Sequence, residues 1–277
     1  MSDRDIPSHD TDTAWKAWGE RDPYFGVITD QRYRKDRLTA ESLDLFFRSG
    51  DSHVKHVASS IRRYIDPGYQ PKRVLDFGCG VGRLLPAFAR LGAEVWGIDI
   101  SEAMLQEARR NCERMQVPGV HLALSDDELS HVEGSFDLVH TAIVLQHIEA
   151  RRGVRLVDRL ISKLAPGGVA ALHMTYAKRQ FSDSYGSPPA AQQSTVPSLP
   201  VELPLWRRLI NKPSPPTAVK APSTSTRADE DPEMQMNPYP LNDVMFLIQQ
   251  CGAKRVHVEF SDHGGELGGT FYFSRPA

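Results

Sequence analysis

Short apolar runs alternate with amphipathic stretches from residue 73 to residue 176. Val74-Leu75-Asp76-Phe77 reads as a strand, followed by glycines and then a helix to about Leu91. Glu94 to Asp99 is the next strand and 101–115 the next helix. Val120 to Leu124 is a third strand, Phe136 to Val139 begins a fourth, 148–164 is helical and 168–176 is a fifth strand. Strands alternating with helices specify a parallel sheet with helices on both faces. Upstream, 38–65 reads as two helices. Leu43, Phe46 and Phe47 share one face, and Ser49-Gly50-Asp51-Ser52 breaks the pattern before the second helix. Residues 1–20 are polar apart from Trp15 and Trp18, so they are expected to be loose or docked through those rings.

After residue 176 the alternation stops. Residues 177–238 hold 11 of the 20 prolines. Inserts this long inside a domain are functional lids or linkers. Leu203, Leu205, Trp206, Leu209 and Ile210 fit one short amphipathic helix there, read as a lid or as a homodimer contact, with two flanking arginines making only a weak case for a membrane-touching element. Order returns with a helix at 241–250, a strand at 254–260 and a strand at 269–274, with Asp262-His263-Gly264-Gly265 as the hairpin turn. The expected divisions are a helical N-terminal extension or lid (1–51), a core (52–176), the proline-rich insert (177–238) and a closing helix with two strands (239–277).

Composition narrows the function. Of 277 residues, 33 are Lys or Arg and 35 Asp or Glu, so the basic excess expected of a nucleic-acid binder is missing. Three cysteines and no CxxC pair argue against a zinc cluster or redox motif. No apolar run has the length of a membrane span and the N-terminus opens no signal region, which leads us to expect a reduced, cytoplasmic chain.

The chemistry concentrates at Gly78-Cys79-Gly80-Val81-Gly82, which follows a strand and opens a helix. The spacing is GxGxG. A dinucleotide fingerprint needs a third glycine where Arg83 stands, and no Lys-Ser/Thr follows for a phosphate loop. Asp76 just before the loop would repel a pyrophosphate and attract an amine. Asp99 ends the second strand, where a carboxylate accepts from ribose hydroxyls. Asp126 ends the third, placed to accept from an adenine amine, with the Asp127 N–H near a ring nitrogen. Each acid alone also suits a helix cap or turn. Three of them on the ligand edge beside GxGxG point to a nucleoside.

At these residues the chain resembles class I S-adenosylmethionine-dependent methyltransferases, in its core motifs those of ubiquinone biosynthesis. The matching segments are VLDFGCGVGRL (74–84), VWGIDIS (95–101), LALSDDEL (122–129), SFDLVHTAIVLQHI (135–148) and LAPGGVAAL (164–172). The resemblance implies a Rossmann-like α/β fold with a seven-stranded, mostly parallel sheet in the order 3-2-1-4-5-7-6. It implies S-adenosylmethionine as cofactor, with S-adenosylhomocysteine as product. Asp99 and Ile100 would lie at its ribose and Asp126 and Asp127 at the adenine. Gly78, Cys79, Gly80 and Gly82 would lie beside the methionine portion, and Thr141 and Ala142 near the sulfonium.

Alignment does much of the work of methyl transfer, and a general base matters when the acceptor is a hydroxyl. No Asn/Asp-Pro-Pro-Tyr/Phe follows the fourth strand and no Pro-Cys dipeptide occurs, which argues against nucleobase chemistry. No acidic cluster follows that strand either, so no metal is expected. His147 is the candidate base, its alternative being a structural histidine. His263 and Glu266 are secondary candidates, with a solvent-exposed turn as the alternative, and Tyr176 and His173 near the end of the fifth strand are read as lining the pocket, with packing within the sheet as the alternative for His173. Tyr24 and Phe25 are read as closing over the site. A helix starting near Ser52, with His53, would offer free N–H groups to the cofactor carboxylate. The expected activity is methylation of a small-molecule acceptor, on an oxygen of a glycan, lipid intermediate or specialised metabolite. A protein or RNA methyltransferase and a non-catalytic cofactor-binding module are the alternatives.

Overall fold

The computed structural model describes residues 11–179 and 231–277. Trp206 and most of the proline-rich insert lie outside the described residues. The N-terminal part forms α1 (Thr11–Arg21), α2 (Pro23–Val27) and α3 (Ala40–Tyr64). Then come β1 (Arg73–Phe77), α4 (Leu85–Ala89), β2 (Glu94–Asp99), α5 (Glu102–Arg114), β3 (Val120–Leu124), β4 (Phe136–Thr141), α6 (Ala150–Ser162) and β5 (Leu164–Lys178). The chain closes with α7 (Leu241–Gln250), β6 (Val256–His263) and β7 (Glu266–Ser274). The seven strands form one sheet in the order β3-β2-β1-β4-β5-β7-β6. β7 is antiparallel to both of its neighbours and the other pairs are parallel.

Alternation along the strands divides the core. Leu75, Phe77 and Val139 face one apolar layer, which includes Leu156 and Leu160 of α6 and Val244 and Ile248 of α7. Val74, Leu138, Val169 and Ala171 face the other, with Val57 and Ile61 of α3, Phe88 of α4 and Ala108 of α5. Asp76 has the parity of Val74, so its carboxyl points toward α3. A third cluster joins Trp18, Tyr24 and Phe25 to Phe46, Val81 and Met104, packing the N-terminal helices onto the glycine loop and α5.

Two expected features are corrected. The predicted break at 49–52 is absent, because α3 runs unbroken for 25 residues from a Thr39–Ser42 capping box. Gly50 serves a long-range contact: a Cβ there would lie 2.3 Å from the backbone oxygen of Arg83. The anion-binding helix start near Ser52 therefore does not exist, since mid-helix N–H groups are already paired. The hairpin turn is also shorter than expected. His263 pairs with Glu266 as the last rung and only Gly264 and Gly265 turn, both at positive φ.

Candidate active site

The carboxyl edge of β1, β2 and β4 opens into a cavity of about 410 Å³. Asp76, Gly78, Cys79, Gly80, Asp99, Ile100, Asp126, Asp127, Ala142, His147 and His263 all line it. Gly78 and Gly80 need glycine twice over. Their φ values are +72° and +54°, and a Cβ would run into Val144 at 2.4 Å and Val27 at 2.6 Å respectively. Gly82 does not reach the cavity; it makes room for Leu85 and Ala108 in the core. Thr141 is also behind the wall, fully buried, with its hydroxyl unpaired.

Asp99 is built as an acceptor. Gly80 N–H donates to Oδ2 and Ser101 N–H to Oδ1, both at 2.9 Å, so each oxygen keeps a lone pair for a further donor. Burial pushes its carboxyl up to about 6, against the pull of those N–H groups. Asp126 Oδ1 accepts from the N–H groups of Ser130 and Glu128, which hold its pKa down and shape the turn after β3. Burial pushes the Cys79 thiol well up, with help from Asp99 and Asp76, so Cys79 contributes backbone and bulk rather than a nucleophile.

Asp76 is buried and accepts from His140 Nδ1 at 2.7 Å. His140 Nε2 lies 3.0 Å from His53 Nε2. Burial, reinforced by His140 and Arg83, holds His53 down to about 2. His53 thus stands behind the cavity wall, a correction to its expected place against the ligand. His140 gave one signal in the sequence, a histidine inside the apolar strand FDLVHT; it sits in register with Asp76.

His147 lies in a 3-10 turn (Leu145–His147) ahead of α6, not at the start of that helix. Its Nδ1 lies 2.7 Å from the carbonyl oxygen of Gln235. A carbonyl only accepts, so Nδ1 carries the proton and Nε2 is the basic nitrogen of the neutral ring, where it accepts from Gln146 Nε2 at 3.4 Å. Burial lowers its pKa. Thr11 donates to the His147 carbonyl at 2.6 Å, and the Trp15 ring packs 4.8 Å from the imidazole, centroid to centroid. The neighbouring Gln146 is buried, its Oε1 without a partner.

The roof differs from expectation. Tyr24 and Phe25 do not line the cavity. The Tyr24 hydroxyl bonds to Glu107 and Asn111 of α5, and Phe25 packs beneath the Arg34 guanidinium. Trp15, Val27, Ile28 and Thr29 line it instead. Arg152 clamps α1 over it, donating to both carboxylate oxygens of Asp12 and to Asp127. Met234 and Met236 add apolar wall, as does Ile143, a β-branched residue at φ +59°. Tyr176 packs near Phe260, outside the cavity, and Glu266 pairs with Lys178. His173 is buried beside Ser261 and His263, and burial there lowers it to about 4.

The residues fit a nucleoside-containing cation. Buried Asp76 meets positive charge, Asp99 offers two acceptors, and the cavity has the room. Among the described residues no His, Cys, Asp or Glu cluster is placed to hold a metal ion, and no helix is long and apolar enough to cross a membrane.

Comparison with known proteins agrees with this architecture. Residues 74–168 match a family model described as a methyltransferase domain. A ubiquinone biosynthesis O-methyltransferase of Alkalilimnicola ehrlichii is 39% identical over 103 residues, 36% of this chain and 40% of that protein. A ribosomal protein L11 methyltransferase of Syntrophotalea carbinolica is 42% identical over 103 residues, 37% of this chain and 32% of that one. The matches thus span less than half of each relative's length. In fold, the chain is similar to magnesium protoporphyrin IX methyltransferase from Synechocystis PCC 6803 with bound SAH, at a TM-score of 0.59 and 16% identity, covering 96% of this chain and all of that one. Residues 74–168 therefore match a methyltransferase domain, and the chain around them completes a seven-stranded sheet in the order β3-β2-β1-β4-β5-β7-β6.

Proposed function

We propose that the chain methylates an oxygen of a small-molecule acceptor at the expense of S-adenosylmethionine. The acceptor is a lipid intermediate or specialised metabolite with an apolar body, rather than a glycan. The observation that carries this reading is the Gln235 carbonyl on His147 Nδ1, which leaves Nε2 as the basic nitrogen at the cavity wall. When bound, the cofactor supplies an activated methyl group on a sulfonium. Asp99 would hold the ribose and Asp126 with Asp127 the adenine end, while Gly78 and Gly80 border the amino-acid end. The task of His147 Nε2 is to take the proton of the acceptor hydroxyl as its oxygen attacks. The low pKa of the buried ring keeps it unprotonated and ready at neutral pH. Trp15, Ile143, Met234 and Met236 favour an apolar acceptor, and the α1 roof favours a small one over a protein or RNA.

Mass spectrometry of acceptor mixtures incubated with the cofactor would identify the class that gains a methyl group. The His147→Ala variant should lose about 10²- to 10⁴-fold in turnover while binding S-adenosylhomocysteine as the parent does. Unchanged turnover would remove His147 as the base. Methyl gain confined to a protein or RNA would replace the small-molecule reading.

A further inference from the structure

Gln146 lines the cavity beside His147 and is only 3% exposed. Its amide is half used. Nε2 donates to Met236 Sδ at 3.6 Å and makes a long contact of 3.4 Å with His147 Nε2. Oε1 has no partner among the described residues. The His147 tautomer decides which way the amide faces. The Gln235 carbonyl takes the Nδ1 proton, so His147 Nε2 presents a lone pair, and turning the amide over would set Oε1 against it. A buried oxygen left unpaired carries a desolvation cost, which a donor brought to it removes.

The turn is held too firmly to satisfy that oxygen from within. Asn237 donates to the Gln146 carbonyl twice, from its backbone N–H at 2.6 Å and from Nδ2 at 3.3 Å. The Tyr239 hydroxyl holds the Leu145 carbonyl at 2.7 Å. Oε1 belongs to the same amide as the nitrogen that faces His147, so Gln146 Oε1 and His147 Nε2 lie side by side. What covers the amide is Met236, whose unbranched thioether also lines the cavity and repacks readily. Two lone pairs next to each other match a molecule with two donors on neighbouring atoms.

We infer that Gln146 Oε1 selects substrates carrying a second hydrogen-bond donor, a hydroxyl or an N–H, on the carbon next to the hydroxyl that is methylated. Its part is specificity. By taking the second donor it sets the reacting hydroxyl on His147 Nε2, while Met236 moves off the amide. This rests on the O-methylation reading above and narrows its substrate class to vicinal diols and amino alcohols on an apolar body.

Isothermal titration of the full-length chain, saturated with S-adenosylhomocysteine, tests the inference with 3-amino-2-naphthol and 2-naphthol as probes. The parent protein should prefer the aminonaphthol by about 3- to 10-fold, the worth of one neutral hydrogen bond. Gln146→Met should abolish that preference, binding both probes as weakly as the parent binds 2-naphthol. Gln146→Glu, which keeps an oxygen at the same place, should retain it. Equal affinity of the parent for both probes overturns the inference without needing any variant. Equal weakening of both probes by Gln146→Met also overturns it, because that marks a merely structural role. If the parent binds neither probe, the small-acceptor reading fails as well.

Discussion

Asp99 offers the sharpest test of the cofactor site. Its carboxyl is raised from 3.8 to about 6, chiefly by burial. At about 1.4 kcal/mol per pH unit, the ionised form costs the empty fold about 3 kcal/mol. The sign follows from which state holds the proton more tightly. The folded chain does, so its stability declines as pH rises from 3.8 to about 6 and is level above that. Cofactor binding runs the other way. Ribose hydroxyls donate best to the ionised carboxylate, so binding expels the proton below about pH 6. Affinity for S-adenosylhomocysteine should therefore be flat from about 7 to 8 and fall by up to tenfold per pH unit below about 6. Asp99→Asn should flatten this profile and lower affinity by about 10- to 100-fold, through loss of charge-assisted bonds. Its effect on stability should be small. Removing the charge is favourable, but an Asn amide presents N–H to either Gly80 N–H or Ser101 N–H, leaving one donor unpaired at about 1–3 kcal/mol. Calorimetric titration between pH 5 and 8, in two buffers of different ionisation enthalpy, reads both affinity and proton release. A flat parent profile, or an Asp99→Asn variant that keeps the slope, refutes the reasoning.

Three further outcomes are expected. Gly50→Ala places a methyl against the Arg83 carbonyl, so it should destabilise by about 1–3 kcal/mol despite alanine's better helix propensity; a raised melting temperature would contradict the contact. Arg152→Met should free α1 at a cost of about 1 kcal/mol, seen as faster hydrogen exchange at 11–21 with the β1 and β4 amides unaltered. Uniform acceleration across the chain would mean that Arg152 supports the whole fold instead. Ile143→Gly relieves a positive φ and should stabilise the chain by about 1 kcal/mol in thermal unfolding, while weakening acceptor binding. Lower stability would show that the apolar contacts of Ile143 outweigh its backbone strain.

The sheet was legible because each of its strands is a local pattern, and local patterns survive in a linear reading. Asp76, Asp99 and Asp126 could be placed for the same reason, each lying at or just beyond the carboxyl end of a strand. What escaped depends on contacts between distant segments. Gly50 looks like a helix breaker until Arg83, 33 residues later, is seen against it. Tyr24 and Phe25 have the composition of a lid, yet Glu107, Asn111 and Arg34 hold them underneath. The partner that fixes the His147 tautomer is a backbone carbonyl, that of Gln235, and a carbonyl leaves no trace in residue identity. Met234 and Met236, in the last residues of the proline-rich stretch, reach the cavity because the chain returns there from a distance in sequence.

The bonds around His147 also set an order of assembly. The nucleoside wall is made within residues 76–126, from neighbouring strands joined by short crossovers. The acceptor corner needs both ends of the chain at once: Thr11 reaches back across 136 positions, Gln235 across 88, and Asn237 N–H closes on the Gln146 carbonyl. Such distant closures come late, after the local ones have reduced the search. A nascent chain would thus acquire its nucleotide grip well before it acquires a competent base. On gentle warming the sequence should reverse, with turnover vanishing while the sheet still holds its nucleoside.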